Sequence, residues 1–184
     1  MKRILITLIA LAVIAVGVPA QNTHAIDETS TTTSRSEVLT HLASLPDVSV
    51  TYLTKSMLRK IPGDKTGSPL AVLVNKGEIE SVRVFELGNA EAETTAKRLM
   101  DIYISEIPDA ATKYYVAGRA ELLMLQRNSS DEVLMYGITR TNDVNRYGTV
   151  LMYSKKEGAK AIFIILSGNI DESTIGELID TFSE

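Results

Sequence analysis

The sequence predicts an α+β fold: an antiparallel sheet of about six strands, with a four-strand C-terminal meander and helices packed mainly on one face. Three observations support this prediction. Four apolar runs follow one another between residues 120 and 168 with only short polar turns between them, two earlier runs alternate apolar and polar residues, and two segments carry apolar residues at helical spacing. Consecutive strands joined so closely can pair only antiparallel, which makes the four runs a meander.

The turns of the meander have the residue types that tight connections need. Its four strands are expected at residues 120–127, 132–140, 148–155 and 159–168. The first connection, residues 128–131, consists of Asn, Ser and Asp, which favour turns because their side chains bond to nearby backbone groups. In the connection at residues 156–158, Gly158 stands where a three-residue hairpin needs a left-handed residue.

Two strands and a single helical turn are expected before the meander. Residues 48–54 are β-branched and alternating, and residues 79–87 alternate cleanly, so both are predicted to be strands. Residues 55–60, which lie between the first strand and Pro62, are predicted to form one helical turn.

Two amphipathic helices and a shorter N-terminal helix complete the predicted fold. The N-terminal helix follows a capping box that begins at Ser34. The clearest helix begins at Asn89, and within it Glu93 and Lys97 have the spacing of an ion pair across one turn. The last helix is expected to be capped by Asp171. The apolar side of the clearest helix consists of Ala96, Leu99, Met100, Tyr103 and Ile107.

Residues 1–25 have the layout of a secretory signal peptide. Two basic residues precede an uninterrupted run of aliphatic, Gly and Thr residues at 4–18, and small residues then offer cleavage after Ala20 or Ala25. The apolar run has 15 residues, whereas a membrane span needs about 20, so cleavage is favoured over a retained anchor. The predicted location of the protein is therefore periplasmic or secreted.

The rest of the chain divides into a leader and one domain. Residues 26–36 are Ser/Thr-rich and almost free of apolar groups, which predicts a flexible leader. Residues 37–184 are expected to form a single α+β domain, because a chain of this size can bury enough surface in one core. The chain has no cysteine, so it has no disulfide, and it lacks the Cys that bacterial lipoproteins carry directly after the signal. No stable membrane anchor is therefore expected after cleavage.

The charge of the chain argues against two classes of partner. Removing residues 1–25 leaves 17 Lys and Arg residues against 23 Asp and Glu residues, so the formal net charge changes from −4 to about −6. Nucleic-acid binding depends on basic residues that neutralise phosphates, so a nucleic-acid partner is not expected. The sequence also lacks the basic amphipathic helix that would bind an anionic membrane surface.

The sequence has no recognisable catalytic or metal-binding pattern, so no catalytic residue, metal site or cofactor is predicted. After the signal region only His41 is available as a catalytic histidine, and there is no Gly-x-Ser-x-Gly turn. Residues 142–145 (Asn-Asp-Val-Asn) are similar to a calcium-binding loop, but the later Gly and Glu of an EF-hand are missing. Glu86 and Asp131 could act as a carboxylate pair only if the fold brought them together.

In the strands of the meander, neighbouring residues that point to opposite faces of the sheet are both apolar. In a sheet with one face in water, apolar and polar residues should alternate along each strand. Two interpretations remain open. Either the helices and loops of the chain cover both faces, or one face stays exposed and binds a partner. For the second case, the candidate binding residues are Met135, Tyr136, Met152 and Tyr153.

Four stretches together resemble a family of small exported bacterial proteins, family 4252 of the domains of unknown function. The stretches are residues 50–62, 81–99, 120–127 and 161–171, and the resemblance covers residues 46–182. It implies an export signal and an α+β domain that closes with a sheet and a helix. It implies no activity, and the family supplies no functional residues to assign to this chain.

These observations predict an exported, non-catalytic binding or interaction module of the bacterial cell envelope. A protein partner, or self-association through a sheet face, is expected. Two alternatives remain: an exported enzyme that uses carboxylates or a metal, and a structural homo-oligomer that associates through a sheet face or an edge strand.

Overall fold

The computed structural model describes residues 34–60, 79–105, 119–140 and 143–183. The chain divides into two compact units, residues 1–34 and 35–184, and apart from Ser34 all described residues belong to the second. The predicted signal peptide and most of the predicted leader lie outside the described residues, so both stay predictions.

The described residues form four helices and six strands. In chain order these are α1 (Arg35–Ser44), β1 (Val48–Thr54), α2 (Lys55–Leu58), β2 (Ile79–Leu87), α3 (Ala90–Ser105), β3 (Ala120–Arg127), β4 (Glu132–Arg140), β5 (Asp143–Lys155), β6 (Ala161–Asp171) and α4 (Glu172–Ser183). Strands β1 to β4 begin and end at the predicted residues. Strand β5 begins five residues earlier than predicted, and β6 begins two residues later and ends three residues later than predicted.

All six strands form one antiparallel sheet in the order β1-β2-β6-β5-β4-β3. Strands β3 to β6 pair each with the next as the predicted meander, and β2 pairs with the outer side of β6. The predicted fold class is therefore confirmed. Strands β1 and β3 are the two edge strands, and they lie at opposite ends of the sheet.

Helices α1 and α3 pack together against one face of the sheet, the helix face. Phe85 of β2 and Phe163 of β6 lie opposite each other on this face, with stacked rings whose centroids are 5.9 Å apart. These two helices contain 26 of the 42 helical residues in the described part of the chain, so the helices are packed mainly on this face, as predicted. Other buried members of this core are Leu42, Leu99, Met100, Leu151 and Tyr153.

The opposite face of the sheet, the second face, has an apolar core of its own. Helix α2 contributes Leu58 to this core, and α4 contributes Ile175 and Leu178. The central strands are apolar on both sides because each face of the sheet has its own core. The buried strand residues of the second face include Val82, Val84, Met135, Val150, Met152 and Leu166.

The predicted caps of two helices and the predicted hairpin glycine are present. The Asn89 side-chain oxygen accepts a hydrogen bond from the Ala92 N–H at 2.9 Å, and Asp171 accepts one from the Thr174 N–H at 2.8 Å. Gly158 has a φ of 71° in the β5–β6 hairpin, the left-handed conformation that was expected there.

The predicted ion pair within α3 is wrong. Glu93 accepts hydrogen bonds from Lys155 of β5, and Lys97 donates to Glu132 of β4. Both helix residues face the sheet, so each binds an opposite charge on a strand instead of the residue one turn away. The spacing within an isolated helix favours a pair one turn apart, but the packing of α3 on the meander provides both residues with partners on the strands.

Candidate interaction surface

Three of the four candidate binding residues are buried. Met135 and Tyr153 are 0% exposed and Met152 is 3% exposed. Met135 and Met152 lie opposite each other on the second face, whereas Tyr153 lies on the helix face. Tyr136, also on the helix face, is half-buried at the margin of that core. Tyr136 is therefore the member of this set that a partner could contact without rearrangement of the sheet, and a binding role for the others stays a prediction.

Tyr136 belongs to an open apolar strip along the edge strand β3. Leu122 and Leu125 of β3 are 52% and 55% exposed, the largest fractions among the exposed large apolar side chains of the described residues. They pair across to Tyr136 and Leu134 of β4, which are half-buried. These four residues form the β3 strip.

A β-bulge places both exposed leucines on the helix face. Leu122 and Leu125 are three residues apart, and in a regular strand such residues point to opposite faces. The pairing of β3 with β4 shifts between Leu122 and Met124, so the alternation is reset within the strand. Leu123 and Met124 both pack against the core of the second face. The exposure of these two leucines could not be predicted from the sequence, because a bulge leaves no signal within an apolar run.

The other edge strand, β1, carries apolar side chains on the helix face as well. Val50 is 43% exposed and pairs with Phe85, and Tyr52 is 49% exposed and pairs with Arg83. The Arg83 guanidinium carbon lies 5.1 Å from the centroid of the Tyr52 ring, a cation–π geometry. A charged group of the chain itself therefore covers part of the β1 surface.

A polar cluster holds the N-terminal end of β3. Arg119 forms an ion pair with Glu121, with its Nε 3.1 Å from Oε1, and the Tyr147 hydroxyl donates to Oε2 of Glu121 at 2.9 Å. The hydrogen bonds from Arg119 and from Tyr147 hold the pKa of Glu121 below its usual value. The backbone N–H of Arg119 also donates to the Thr139 hydroxyl at 2.7 Å, so the start of the strand is tied to β4.

The phenol of Tyr147 makes the stability of the protein sensitive to alkaline pH. Burial, followed by the hydrogen bond and charge of Glu121, raises the pKa of Tyr147 from 10.0 to about 12. The folded state therefore holds this proton more tightly than the unfolded state, so the contribution to stability is complete below pH 10 and is lost as the pH rises to about 12.

We expect the melting temperature of Tyr147→Phe to fall less steeply than that of the unmodified protein between about pH 10 and 12, because the variant has no phenol to titrate at this position. Thermal unfolding followed by circular dichroism across this range measures the effect. Burial also raises the pKa of the Tyr153 phenol, but that residue is present in both proteins and cancels in the comparison. An identical decline in the two proteins would contradict the prediction.

A second polar cluster joins α3 to the strand β5. The Tyr153 hydroxyl donates to Oε2 of Glu93 at 3.1 Å, and Nζ of Lys155 donates to the two oxygens of the same carboxylate at 2.7 and 2.9 Å. Burial, followed by the charge of Glu93, raises the pKa of the Tyr153 phenol. Each polar group in this cluster has a partner, so the cluster fixes the helix on the sheet and presents no free group for chemistry.

Glu132, the first residue of β4, connects α3 with the C-terminal end of β3. Nζ of Lys97 donates to one carboxylate oxygen at 2.5 Å, and Arg127 pairs with the other. Burial alone would raise the pKa of Glu132, but the hydrogen bonds and charges of Lys97 and Arg127 outweigh it, so the pKa lies below its usual value. Charge pairs thus fix both ends of β3.

Within the described residues, the groups considered for catalysis do not come together. Glu86 lies on β2 and Asp131 at the β3–β4 turn, and three strand spacings, about 14 Å, separate β2 from β4. Glycosidase carboxylates are about 5 to 9.5 Å apart. Glu86 accepts a hydrogen bond from the Ser49 hydroxyl, and Asp131 accepts one from the Glu157 N–H. His41 is exposed on α1.

Of the stretch considered for calcium binding, residues 143–145 begin strand β5. Residue 142 lies outside the described residues. Asp143 accepts a hydrogen bond from the Asn145 N–H at 3.1 Å and lies 3.8 Å from Nε of Arg146. Among the described residues no group of three His, Cys, Asp or Glu side chains is placed to hold a metal ion, and none of their helices is long and apolar enough to cross a membrane.

Comparison of the chain with protein-family models, curated proteins and solved structures finds no match. The resemblance to family 4252 of the domains of unknown function, which residues 46–182 carry, therefore stays a prediction. The fold that it implies, an α+β domain that closes with a sheet and a helix, agrees with the observed order of elements.

Proposed function

We propose that this protein is an exported, non-catalytic interaction module of the bacterial envelope, and that it binds another protein chain through the β3 strip and the open edge of β3. The supporting observation is the exposure of Leu122 and Leu125 on an edge strand. Within the described residues nothing pairs with the outer side of this strand. Exposed leucines beside unpaired backbone groups are a liability for a monomer, because they offer apolar surface and hydrogen bonds to another chain.

The surroundings of the β3 strip favour binding by a protein. Interfaces have an apolar centre that includes aromatic residues, and a polar rim. The strip contains Tyr136 among three leucines, and Arg119 and Arg127 flank it at the two ends of β3. Both arginines already pair with glutamates of the chain. A partner could therefore bury the strip without removing an unpaired charge from water.

The open strand edge indicates how a partner would bind. An extended segment can add to the edge of a sheet, where backbone hydrogen bonds provide affinity and side-chain contacts provide specificity. The charge pairs at both ends of β3 hold the strand in place before binding, so little conformational entropy is lost on association.

Export is supported by the sequence pattern of residues 1–25. N-terminal sequencing of the protein recovered from the periplasm or the medium tests this part of the proposal. A first residue directly after Ala20 or Ala25 is expected, and recovery of the intact chain in the cytoplasm would contradict it.

The interaction is tested by a photo-cross-linking amino acid placed at Leu125 of the full chain in living cells. A cross-linked adduct with another protein chain is expected. The same substitution at Lys156, an exposed residue of the β5–β6 hairpin, serves as the control and is expected to give no adduct. Adding Leu122→Lys to the Leu125 probe should abolish the adduct, because a charge at the centre of the strip opposes burial.

Two results would overturn the proposed function. The first is that the probe at Leu125 forms no adduct with any protein chain. The second is that the adduct persists unchanged when Leu122→Lys is present, which would show that the cross-link reports random proximity and not burial of the strip.

A further inference from the structure

We infer, building on the function proposed above, that the chain bound at the β3 edge is a second copy of this protein. Strand β3 of one copy pairs antiparallel with β3 of the other across a two-fold axis. Leu122 of each copy then lies opposite Leu125 of the other, and the two sheets join into one continuous sheet.

The backbone of β3 offers hydrogen-bonding groups to the open side at alternate residues. The Arg119 carbonyl accepts a hydrogen bond from the Thr139 N–H at 2.9 Å, so Arg119 bonds inward to β4. At the other end, the Asn128 N–H donates to the Asp131 carbonyl at 3.0 Å, so Asn128 also bonds inward. We call a residue inward if its backbone N–H and C=O point to β4, and outward if they point to the open side. Inward and outward residues alternate in an antiparallel ladder. Counting from each end to the bulge, the outward residues are Ala120, Leu122, Leu125 and Arg127.

The bulge makes the spacing of these outward residues unequal. Ala120 and Leu122 are two residues apart, as are Leu125 and Arg127, whereas Leu122 and Leu125 are three apart. A regular strand has a spacing of two throughout, so at the bulge it would set one residue against two of β3, as β4 does on the inner side. A strand with the same three-residue step, running in the opposite direction, matches the edge residue for residue on both sides of the bulge. A second copy of β3 provides that strand.

This match determines one register. Leu122 lies opposite Leu125 of the second copy and Ala120 lies opposite Arg127 of the second copy, and both pairs repeat on the other side of the two-fold axis. All four outward residues of each strand then face outward residues of the other, with the two bulges at the centre. A shift by one residue would instead place the outward Leu122 opposite the inward Gln126.

The side chains agree with this register. On the helix face, two leucines from each copy become cross-strand neighbours about 5 Å apart, next to Tyr136 of each copy. On the second face, Glu121 lies opposite Gln126 of the other copy, so like charges do not oppose each other. The charged residues Glu121 and Arg127 already have partners within their own copy. The apolar surface that the monomer exposes is thus covered by the same surface of a second copy.

The edge of β1 does not select a partner in the same way. Its pairing with β2 is regular, with no shift from Val48 to Thr54, so a pairing strand could slip by two residues without losing hydrogen bonds. Arg83 also covers part of the Tyr52 ring. The two exposed residues of β1, Val50 and Tyr52, therefore provide a matched control on the opposite edge.

Disulfide trapping tests the proposed register, because the full chain has no cysteine of its own. Leu122→Cys and Leu125→Cys are prepared separately and oxidised either alone or as a mixture. In the proposed register, only the mixture brings two thiols opposite each other. Two copies of the same variant hold their thiols three residues out of register, roughly 10 Å apart, which exceeds the limit of about 7 Å between the Cα atoms of a disulfide.

We expect a disulfide-linked dimer in the mixture and none in either variant alone. The mixture of Val50→Cys and Tyr52→Cys is expected to give none either, since exposure alone does not produce a link. A dimer from one variant alone, or an equal yield from the β1 control, would overturn the inference. So would the absence of any dimer.

Sedimentation velocity of the full chain without cysteines is the independent measurement. The unmodified protein is expected to change from monomer to dimer as its concentration rises, and Leu125→Lys is expected to remain a monomer at each concentration at which the unmodified protein is dimeric. Tyr52→Lys, the control on β1, should dimerise normally. If Leu125→Lys dimerises as the unmodified protein does, the inference fails.

The failure of this inference and the failure of the proposed function give different results. If neither disulfide dimers nor sedimenting dimers form, but the probe at Leu125 still cross-links to another protein, the second copy is wrong and the interaction function stands. If the probe gives no adduct either, both are wrong.

Discussion

Replacing Phe163 with alanine is expected to lower the free energy of unfolding by about 3–5 kcal/mol. Phe163 is 0% exposed and lies in β6, the strand between β2 and β5. Its ring stacks on Phe85 and its backbone pairs with Tyr153 on the other side. Alanine would leave a cavity beneath α1 and α3 that strands paired on both sides cannot close.

Urea unfolding followed by circular dichroism measures this loss. The matched control is Met57→Ala, which also truncates a large apolar side chain but at a position 47% exposed and outside both edge strands. The control is expected to change the free energy of unfolding by less than about 0.5 kcal/mol, because surface substitutions away from the core have little effect. Similar losses in the two variants would contradict the assignment of Phe163 to the core. A folded stability of about 5–15 kcal/mol makes the expected difference easy to resolve.

Replacing Gly137 with alanine is expected to cost roughly 1–3 kcal/mol, because the added methyl group overpacks the second face. A Cβ at this position would lie 2.5 Å from two ring carbons of Tyr147 and 2.9 Å from a methyl carbon of Leu123. Tyr147 cannot easily move aside, because its hydroxyl is bonded to Glu121. Leu123 belongs to the bulge of β3, so the substitution would press on the edge strand as well.

Gly176→Ala is the matched control for this prediction. Gly176 is exposed in α4, and a Cβ there would meet no atom within 4 Å. Alanine in a helix interior is more favourable than glycine by about 0.5–1 kcal/mol, so this variant should be more stable than the unmodified protein. Differential scanning calorimetry of the two variants separates the effects by sign. A stabilised Gly137→Ala variant would show that the close approach of Tyr147 does not constrain the sheet.

The two stability predictions and the proposed interface concern different parts of the same sheet. Phe163 tests the core of the helix face, and Gly137 tests the packing beneath the bulge of β3. If Gly137→Ala displaces Leu123, we expect the disulfide yield between the Leu122→Cys and Leu125→Cys variants to fall as well, because the three-residue step between the outward residues depends on the bulge.

The class of the fold and most of the element boundaries could be predicted from the amino-acid pattern. Strands β1 to β4 begin and end at the predicted residues, and Asn89, Asp171 and Gly158 have their predicted roles. These features depend on residues close together in the chain: the alternation of a strand, the side chain that caps the next turn of a helix, and the conformational freedom of one glycine. Local interactions of this kind can be read from a single sequence.

Which apolar side chains are buried and which are exposed depends on the tertiary structure. The meander residues are apolar at both parities, so the pattern could not distinguish the buried Met135, Met152 and Tyr153 from the exposed Leu122 and Leu125. That difference depends on the order of the strands, on the position of the helices and on one bulge. Each of these is set by contacts between residues far apart in the chain, which is also why Glu93 and Lys97 bind partners on the sheet instead of each other.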